Sequence, residues 1–404
     1  MRKDGYFISL GAGKNQIPLI HKANALGLKV ISVDKNDKAP GFHFTSIKII
    51  ESVHEYRKLY KSIGEIPLIY PIYGVGTRSF GKTVYSASYL AEKLKLPGVK
   101  PNSLKIFDNK RKLKEFLEKK GIKVPNYYNW RSNSLMAKTI AIISYPCILK
   151  PSFSESKKGI ELFYNKDELK EKLNKISPDD SSYLLEEFIE GKEITVLGLV
   201  QNQTFHLVSI SDKITTTYPP FIEISHRLPS DFEDHSGEIK IICQSIVNLT
   251  GIDNCPFVAE FKITNSDEIY LMEVKPEVGG EYLADYLIPQ FYGYDYFQNL
   301  IKVFIGEPIE TKAQKSDRNL KKSHIVFFAP PENKSKLKQI SPFEVEPSEN
   351  LFFRENLKQE GDTLLTSQGN HSRVLVLGIE TKKNISHEEF DKSIRERISV
   401  KFES

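Results

Sequence analysis

Two strand-length segments, Phe257-Val258-Ala259-Glu260-Phe261-Lys262-Ile263 and Ile269-Tyr270-Leu271-Met272-Glu273-Val274-Lys275, flank the turn-forming run Asn265-Ser266-Asp267-Glu268 and leave this chain little local choice. Apolar residues at alternate positions on both sides of such a run predict an antiparallel hairpin. A two-residue turn at Ser266-Asp267 sets Glu260 opposite Glu273, with Phe261 against Met272, Ala259 against Val274 and Ile263 against Tyr270. One face is then core and the other carries two acids. Like charges directly opposite destabilise a hairpin, so this register asks for a cation between them. A hard ion with oxygen ligands fits, and magnesium needs only one or two carboxylates when phosphates fill other positions. The bland alternative is a solvated face on which Lys262 and Lys275 neutralise the acids by surface pairing.

A chain of 404 residues has room for two or three domains around such a hairpin. Its net charge of +5 is small, and its lysines are interleaved with acids, so nucleic-acid binding is not implied. Cys147, Cys243 and Cys255 are isolated, without CxxC or Cys/His ligand spacing, and read as core residues in a reducing compartment. No apolar run approaches ~18 residues and no signal-peptide region precedes Tyr6, so a cytoplasmic protein without membrane contact is expected.

The first hundred residues alternate strands and helices: Tyr6–Leu10, a turn at Gly11-Ala12-Gly13, a helix to Leu26, a strand at Leu28–Val33, another at Leu68–Tyr70 and a helix at Thr83–Leu94. That pattern predicts a parallel α/β sheet. A lysine-rich helix follows over Lys110–Lys120. Strands at Tyr145–Pro151, Ile160–Phe163, Tyr183–Phe188 and Ile194–Val200, with a helix at Lys166–Lys175, give the middle an α+β character. Beyond Gly306 the chain is strand-rich, with a last helix near His387–Arg397.

Three further stretches carry chemistry. Gly11-Ala12-Gly13-Lys14-Asn15-Gln16, with Asp34 ending the next strand, half resembles a dinucleotide fingerprint, but Gln16 replaces the third glycine. Anion or substrate binding at that helix end is the better reading. Lys150 ends an apolar strand just before the small and polar run Ser152 to Gly159, where an ammonium and backbone amides could converge on phosphates. Glu186-Glu187-Phe188-Ile189-Glu190-Gly191-Lys192-Glu193 ends another strand with acids at both ends; strand-end backbone groups suit an adenine edge, and a carboxylate beyond the turn suits ribose hydroxyls.

Taken in order, Asp108-Asn109-Lys110, Leu149-Lys150-Pro151, Glu186-Glu187-Phe188-Ile189 and the Glu260/Glu273 hairpin, behind a Rossmann-like domain, closely resemble the ATP-grasp superfamily. That family includes carboxylate–amine ligases, biotin carboxylase and carbamoyl phosphate synthetase. The resemblance covers essentially the whole chain. It implies a pre-ATP-grasp domain at 1–100, an ATP-grasp core at 101–305 with a small lid about 125–190, and a C-terminal subdomain at 306–404. It further implies ATP and magnesium as cofactors, phosphate contacts from Lys110 and Lys150, further ATP contacts from Ser156 and Lys157 in the loop and from Glu186, and adenine contacts from backbone groups of Glu187, Phe188 and Ile189. Glu193 would take the ribose, Glu260 and Glu273 the metal, and Lys213 would lie near the phosphates. The activity implied is amide formation from a small carboxylate and an amine through an acyl phosphate, and a homodimer is admitted.

One motif departs from the family. Its usual Glu-hydrophobic-Asn-Pro-Arg is here Glu273-Val274-Lys275-Pro276-Glu277, followed by Val278-Gly279-Gly280. A protonated lysine cannot coordinate magnesium, so one ligand oxygen is missing. The roles are expected to be swapped, with Lys275 supplying charge at the transferring phosphate, Glu277 supplying the oxygen, and Arg227 replacing the absent arginine. The alternatives are a nucleotide-binding protein with a degenerate site and a dinucleotide-dependent oxidoreductase, which would leave the acidic hairpin unexplained.

Overall fold

The computed structural model describes residues 4–128, 133–152, 159–176, 183–310, 321–331 and 334–403. Tyr6–Leu10 (β1), Lys29–Val33 (β2), Ile47–Ile49 (β3) and Ile72–Gly76 (β4) form a parallel sheet in the order β3-β2-β1-β4, accompanied by helices Ile17–Ala25 (α1), Tyr56–Gly64 (α2) and Lys82–Lys93 (α3). β1 is buried along its whole length, as its unbroken apolar run requires of a strand covered on both faces. The strand expected at Leu68–Tyr70 lies instead at β4. Pro67 and Pro71 bracket the expected segment and remove the amides a ladder needs, so pairing starts only after Pro71, whose carbonyl accepts from the Tyr6 amide at 2.8 Å.

Pro101–Leu104 (α4) and Lys110–Glu118 (α5) lead to a small antiparallel sheet of Tyr127–Tyr128 (β5), Cys147–Pro151 (β6), Glu161–Phe163 (β7) and Tyr183–Glu187 (β8), ordered β5-β8-β6-β7. Helices Asn133–Ile142 (α6) and Lys166–Leu173 (α7) belong to it, and Cys147, Leu149, Phe163, Leu169, Leu173 and Leu185 make its core.

The largest layer has eight strands. Lys192–Gln201 (β9), Thr204–Thr215 (β10), Glu223–Leu228 (β11), Cys255–Ile263 (β12) and Ile269–Lys275 (β13) are joined by Lys322–Phe328 (β14), Glu349–Asn356 (β16) and Leu375–Thr381 (β18), in the order β13-β12-β9-β10-β11-β14-β18-β16. The strand-rich C-terminal region therefore continues the central sheet. Among the described residues of that region, Lys334–Ile340 (β15), Thr363–Leu365 (β17) and Val400–Glu403 (β19) form a separate three-stranded sheet. Ser236–Thr250 (α8) covers one face through Ile239, Cys243, Ile246 and Val247. Ile288–Tyr292 (α9) and Tyr296–Ile305 (α10) fill the space between the opposite face and the N-terminal sheet. α10 comes so close to β4 that a Cβ on Gly74 would meet the Phe304 carbonyl at 2.7 Å, and one on Gly76 would meet the Phe304 ring at 2.4 Å. Glycine at these two places lets the parallel sheet dock onto the central one. Helix His387–Glu396 (α11) packs Phe390 and Ile394 against the C-terminal strands. This combination of parallel α/β and antiparallel α+β layers is the fold class expected.

The acidic hairpin has the expected glutamate pair by a different route. Its loop is longer than two residues: the Asp267 amide donates to the Thr264 carbonyl at 3.0 Å, the Thr264 amide to the Glu268 carbonyl at 3.0 Å, and Asp267 takes φ +60°. This is a three-residue loop closed by a left-handed residue. Phe261 consequently faces Leu271 and Ile263 faces Ile269, correcting the expected partners Met272 and Tyr270. A bulge between Glu260 and Phe261 then leaves Met272 as an extra residue and restores Glu260 opposite Glu273 and Ala259 opposite Val274.

Candidate active site

Register alone assembles the site on one face of the central sheet. Glu260 faces Glu273, and Lys262 on β12 faces Glu193 on β9. Glu193 in turn faces Lys213 on β10, and Lys213 faces His226 on β11. Residues two apart share a face, so Lys275 joins Glu273 and Lys262 joins Glu260. Five neighbouring strands thus present one charged carpet, continued along β9 by buried Leu197 and Leu199.

Lys213 lies at its centre, fully buried. Its ammonium is 2.7 Å from Glu260 Oε2, 3.0 Å from Glu223 Oε1 and 3.5 Å from Glu193 Oε2. Burial alone would lower its pKa, but Glu223, Glu260 and Glu193 together hold it well above the ordinary lysine range. Lys262 lies 3.6 Å from Glu193 Oε1, donates to the Ile189 carbonyl at 2.8 Å and sits 4.5 Å from the Phe188 ring centre. It ties the strand-end segment to the sheet.

A second layer descends from α5. The Asn109 side chain caps this helix by accepting from the Lys112 amide, and so orients its first turn. Lys110 Nζ is 3.6 Å from Glu273 Oε1, and Lys114, one turn later on the same helix face, is 2.7 Å from Glu186 Oε1. Lys150 on β6 meets the other oxygen of Glu186 at 2.6 Å. Burial would raise the pKa of Glu186, but Lys114 and Lys150 bring it below the usual range, while burial lowers Lys114 to about 8. Burial opposes ionisation of Glu273 too, and Lys110 and Lys275 overcome it, holding this carboxyl well below the ordinary glutamate value.

Several expectations need correction. Arg227 is one residue out of step with Lys213: it faces Asp212 across the ladder and so lies on the other face of the sheet. There it pairs with Glu388 at 2.8 Å and approaches Asp391 at 3.9 Å, both on α11. It cannot stand in for an arginine at the phosphates. Glu277 does not complete the acid pair: its Oε1 accepts from the Gly81 amide at 2.7 Å at the start of α3, and its Oε2 is 4.0 Å from Lys275. Of the backbone groups expected to meet adenine, the Glu187 and Phe188 amides are held by the Asn126 and Pro146 carbonyls at 3.0 and 3.1 Å, and the Ile189 carbonyl accepts from Lys262. The Glu187 side chain accepts from both the amide and the Nδ2 of Asn126. Ser156 and Lys157 lie outside the described residues. Asp34, the acid of the partial dinucleotide motif, accepts from the Ala12 amide at 2.9 Å and the Asn36 amide at 3.0 Å. Both its oxygens serve its own turns. The turn still borders an open cleft lined by Gly11, Gly13, Lys14, Lys35, His54 and Ser79.

The sequence reading missed Glu223, Arg373 and Lys114. Beside Lys213, Glu223, His226 and Glu281 bring one ligand-type atom each within 4.8 Å of one another. Glu281 forms an ion pair with Arg373, whose Nε donates to the Asn370 carbonyl at 2.9 Å and whose guanidinium lies 3.9 Å from the centre of the Phe327 ring. Burial and the neighbouring Glu223 push Glu281 up to about 7 against the pull of Arg373. Lys114 was legible as a helical i+4 neighbour of Lys110; Arg373, 92 positions from Glu281, had no local signal.

Comparison with known proteins decides what this arrangement belongs to. Residues 143–285, which carry Lys150, Glu186, Glu193, Lys213, Glu260 and Glu273, match the family model of the ATP-grasp domain. Residues 143–285 are an ATP-grasp domain. The chain is 27% identical over 232 residues to the formate-dependent phosphoribosylglycinamide formyltransferase of Sulfurisphaera tokodaii, covering 55% of this chain and 54% of that one. It is 27% identical over 169 residues to the D-alanine–D-alanine ligase of Petrotoga mobilis, covering 40% and 56%. The chain thus spans about half the length of the curated relatives it matches. Its fold is that of the L-amino acid ligase from Bacillus licheniformis, with a TM-score of 0.77 at 18% identity over 100% of both chains.

Proposed function

We propose that this chain is an ATP-dependent carboxylate–amine ligase, acting on small molecules. The observation that carries the reading is the opposed pair Glu260 and Glu273, ringed by Lys110, Lys213 and Lys275 on one face of the sheet. Lys110 and Lys150 would hold ATP phosphates, the Glu186–Ile189 segment the adenine and Glu193 the ribose. The two phosphate lysines pair with Glu273 and Glu186, partners that a phosphate can replace. Glu260 and Glu273, oxygen donors facing each other across one ladder rung, fit a hard divalent ion. Magnesium held there would supply charge neutralisation on the β- and γ-phosphates.

The chain's own residues do the rest. Lys275, 3.1 Å from Glu273 Oε1, places fixed positive charge where negative charge moves during in-line transfer. A carboxylate oxygen attacks the γ-phosphorus, the bond to the bridging oxygen breaks, and ADP leaves. The amine then attacks the acyl carbon, phosphate leaves, and the amine proton must be taken up. The end of the site lined by Glu223, His226, Glu281 and Arg373 is where we place the acceptor, because it offers carboxylates to an ammonium and a guanidinium to an anion. Residues 1–100, 101–305 and 306–404 are our working division into pre-core domain, ATP-grasp core and C-terminal part. Among the described residues no helix is long and apolar enough to cross a membrane, and the three cysteines are free and buried. A cytoplasmic setting fits, and the quaternary state is open to a homodimer.

The test is a screen crossing carboxylates with amines, scored by ADP release, with ATP labelled in the β,γ-bridge. The ligase reading expects carboxylate-dependent scrambling of the bridge label without amine, and net ADP only with both substrates. Tight ATP binding with neither outcome would favour a second reading, a nucleotide-binding protein with a degenerate site, which Lys275 and Glu277 in the metal motif motivate. The dinucleotide reading loses its acid, since Asp34 is committed to backbone amides.

A further inference from the structure

Glu273 and Lys275 lie two residues apart on β13 and therefore project from the same face of the hairpin. Lys275 Nζ is 3.1 Å and Lys110 Nζ 3.6 Å from the same oxygen, Glu273 Oε1. Across the ladder, Glu260 gives its Oε2 to Lys213 at 2.7 Å. Each acid thus has one oxygen on an ammonium and one oxygen, Glu260 Oε1 and Glu273 Oε2, outside these pairs. Two oxygens from facing residues suffice for one hard ion whose other positions are filled by phosphate and water.

A second ion would need a further set of donors. In two-metal sites the ions sit ~3.5–4 Å apart and share carboxylates, each oxygen ~2.1 Å from its magnesium. Here an ammonium already stands 3.1 Å from the oxygen to be shared, and lysine has no acceptor to offer. Glu277, the nearest acid along the chain, has one oxygen held by the Gly81 amide at 2.7 Å. The position that could have completed a second coordination shell carries a cation instead.

We infer that the Lys275 ammonium takes the place of a second divalent ion, so that this chain handles its nucleotide with one divalent ion and one tethered charge. The inference rests on the ligase reading of the Glu260/Glu273 site and specifies its metal content. A tethered charge cannot be diluted or chelated away, so the site depends on free metal to first order.

The test uses the full chain with manganese and the non-hydrolysable β,γ-imido analogue of ATP. Bound manganese is counted by equilibrium dialysis, and its electron paramagnetic resonance spectrum is recorded. The expected result is one manganese per bound nucleotide with the spectrum of an isolated ion. Lys275→Asn, which exchanges the ammonium for an amide oxygen, is expected to raise the count to two and to give a spin-coupled spectrum. Lys275→Met, which removes the charge without adding a ligand, keeps the count at one and guards against a misfolded asparagine variant. Two spin-coupled ions in the unaltered protein would overturn the inference while leaving nucleotide binding, and so the ligase reading, intact. A protein that binds no nucleotide at any manganese concentration would overturn that reading and the inference with it.

Discussion

Asp34, beside the glycine turn at Gly11–Gln16, and the two glutamates within the β12–β13 hairpin are acids carried by apolar strands or their ends, yet they are used in opposite ways. Asp34 is satisfied by the amides of Ala12 and Asn36, groups from its own and the adjacent turn. Glu260 and Glu273 are satisfied by lysines from β10, α5 and β13. A carboxylate closed by backbone donors is a fixed part of its turn, because nothing can displace it without leaving those amides unpaired. A carboxylate held by long cationic side chains can exchange them for an ion or share them with phosphates. The kind of partner, more than the residue itself, separates a structural acid from a working one.

Four measurements sharpen or break this contrast. Glu260→Ala is expected to lower ATP-dependent turnover on the order of 10³-fold or more, since it removes one of two facing oxygen donors. Turnover within tenfold of the unaltered protein would end the special standing of the hairpin. Lys213→Met leaves Glu193, Glu223 and Glu260 without their shared cation, and denaturant unfolding is expected to show a loss of about 3–5 kcal/mol. Glu281 acts through protons. Its pKa is raised from 4.5 to about 7, so the stability it contributes is fully present below pH 4.5 and is lost as pH rises through 7. The unaltered protein should lose stability over that window, by on the order of 3 kcal/mol, as read by thermal unfolding, and Glu281→Gln should flatten the decline. The smallest effect belongs to Asp34→Asn, about 1 kcal/mol of stability with nucleotide affinity unchanged. A large loss of nucleotide affinity there would erase the distinction between the two acids.

Much of the site could be read from the sequence wherever short-range periodicity governs. The pleat places Glu260, Lys262, Glu273 and Lys275 on one face, and a helix cap followed by lysines one turn apart describes α5. What could not be read depends on long-range register. Whether Arg227 or His226 joins Lys213 is decided by a single-residue offset between β10 and β11, which no local pattern fixes. Arg373 reaches Glu281 only because β14 and β18 extend the same sheet as β11, a closure invisible from strand propensity. The shift of β4 was accessible, since Pro67 and Pro71 announce it.

The bulge at Met272 has a consequence for how this hairpin can change over generations. A strand has a parity of two, and the odd loop at Asn265–Asp267 and the extra residue in β13 compensate one another to bring Glu260 and Glu273 together. Insertion of a single residue within β13 would exchange polar for apolar side chains along the rest of the strand unless a bulge absorbed it, whereas paired insertions would preserve the match. Length variation within this strand among descendants of this chain should therefore come in even steps, or as a single step matched by gain or loss of a bulge, while the loop tip is free to change length.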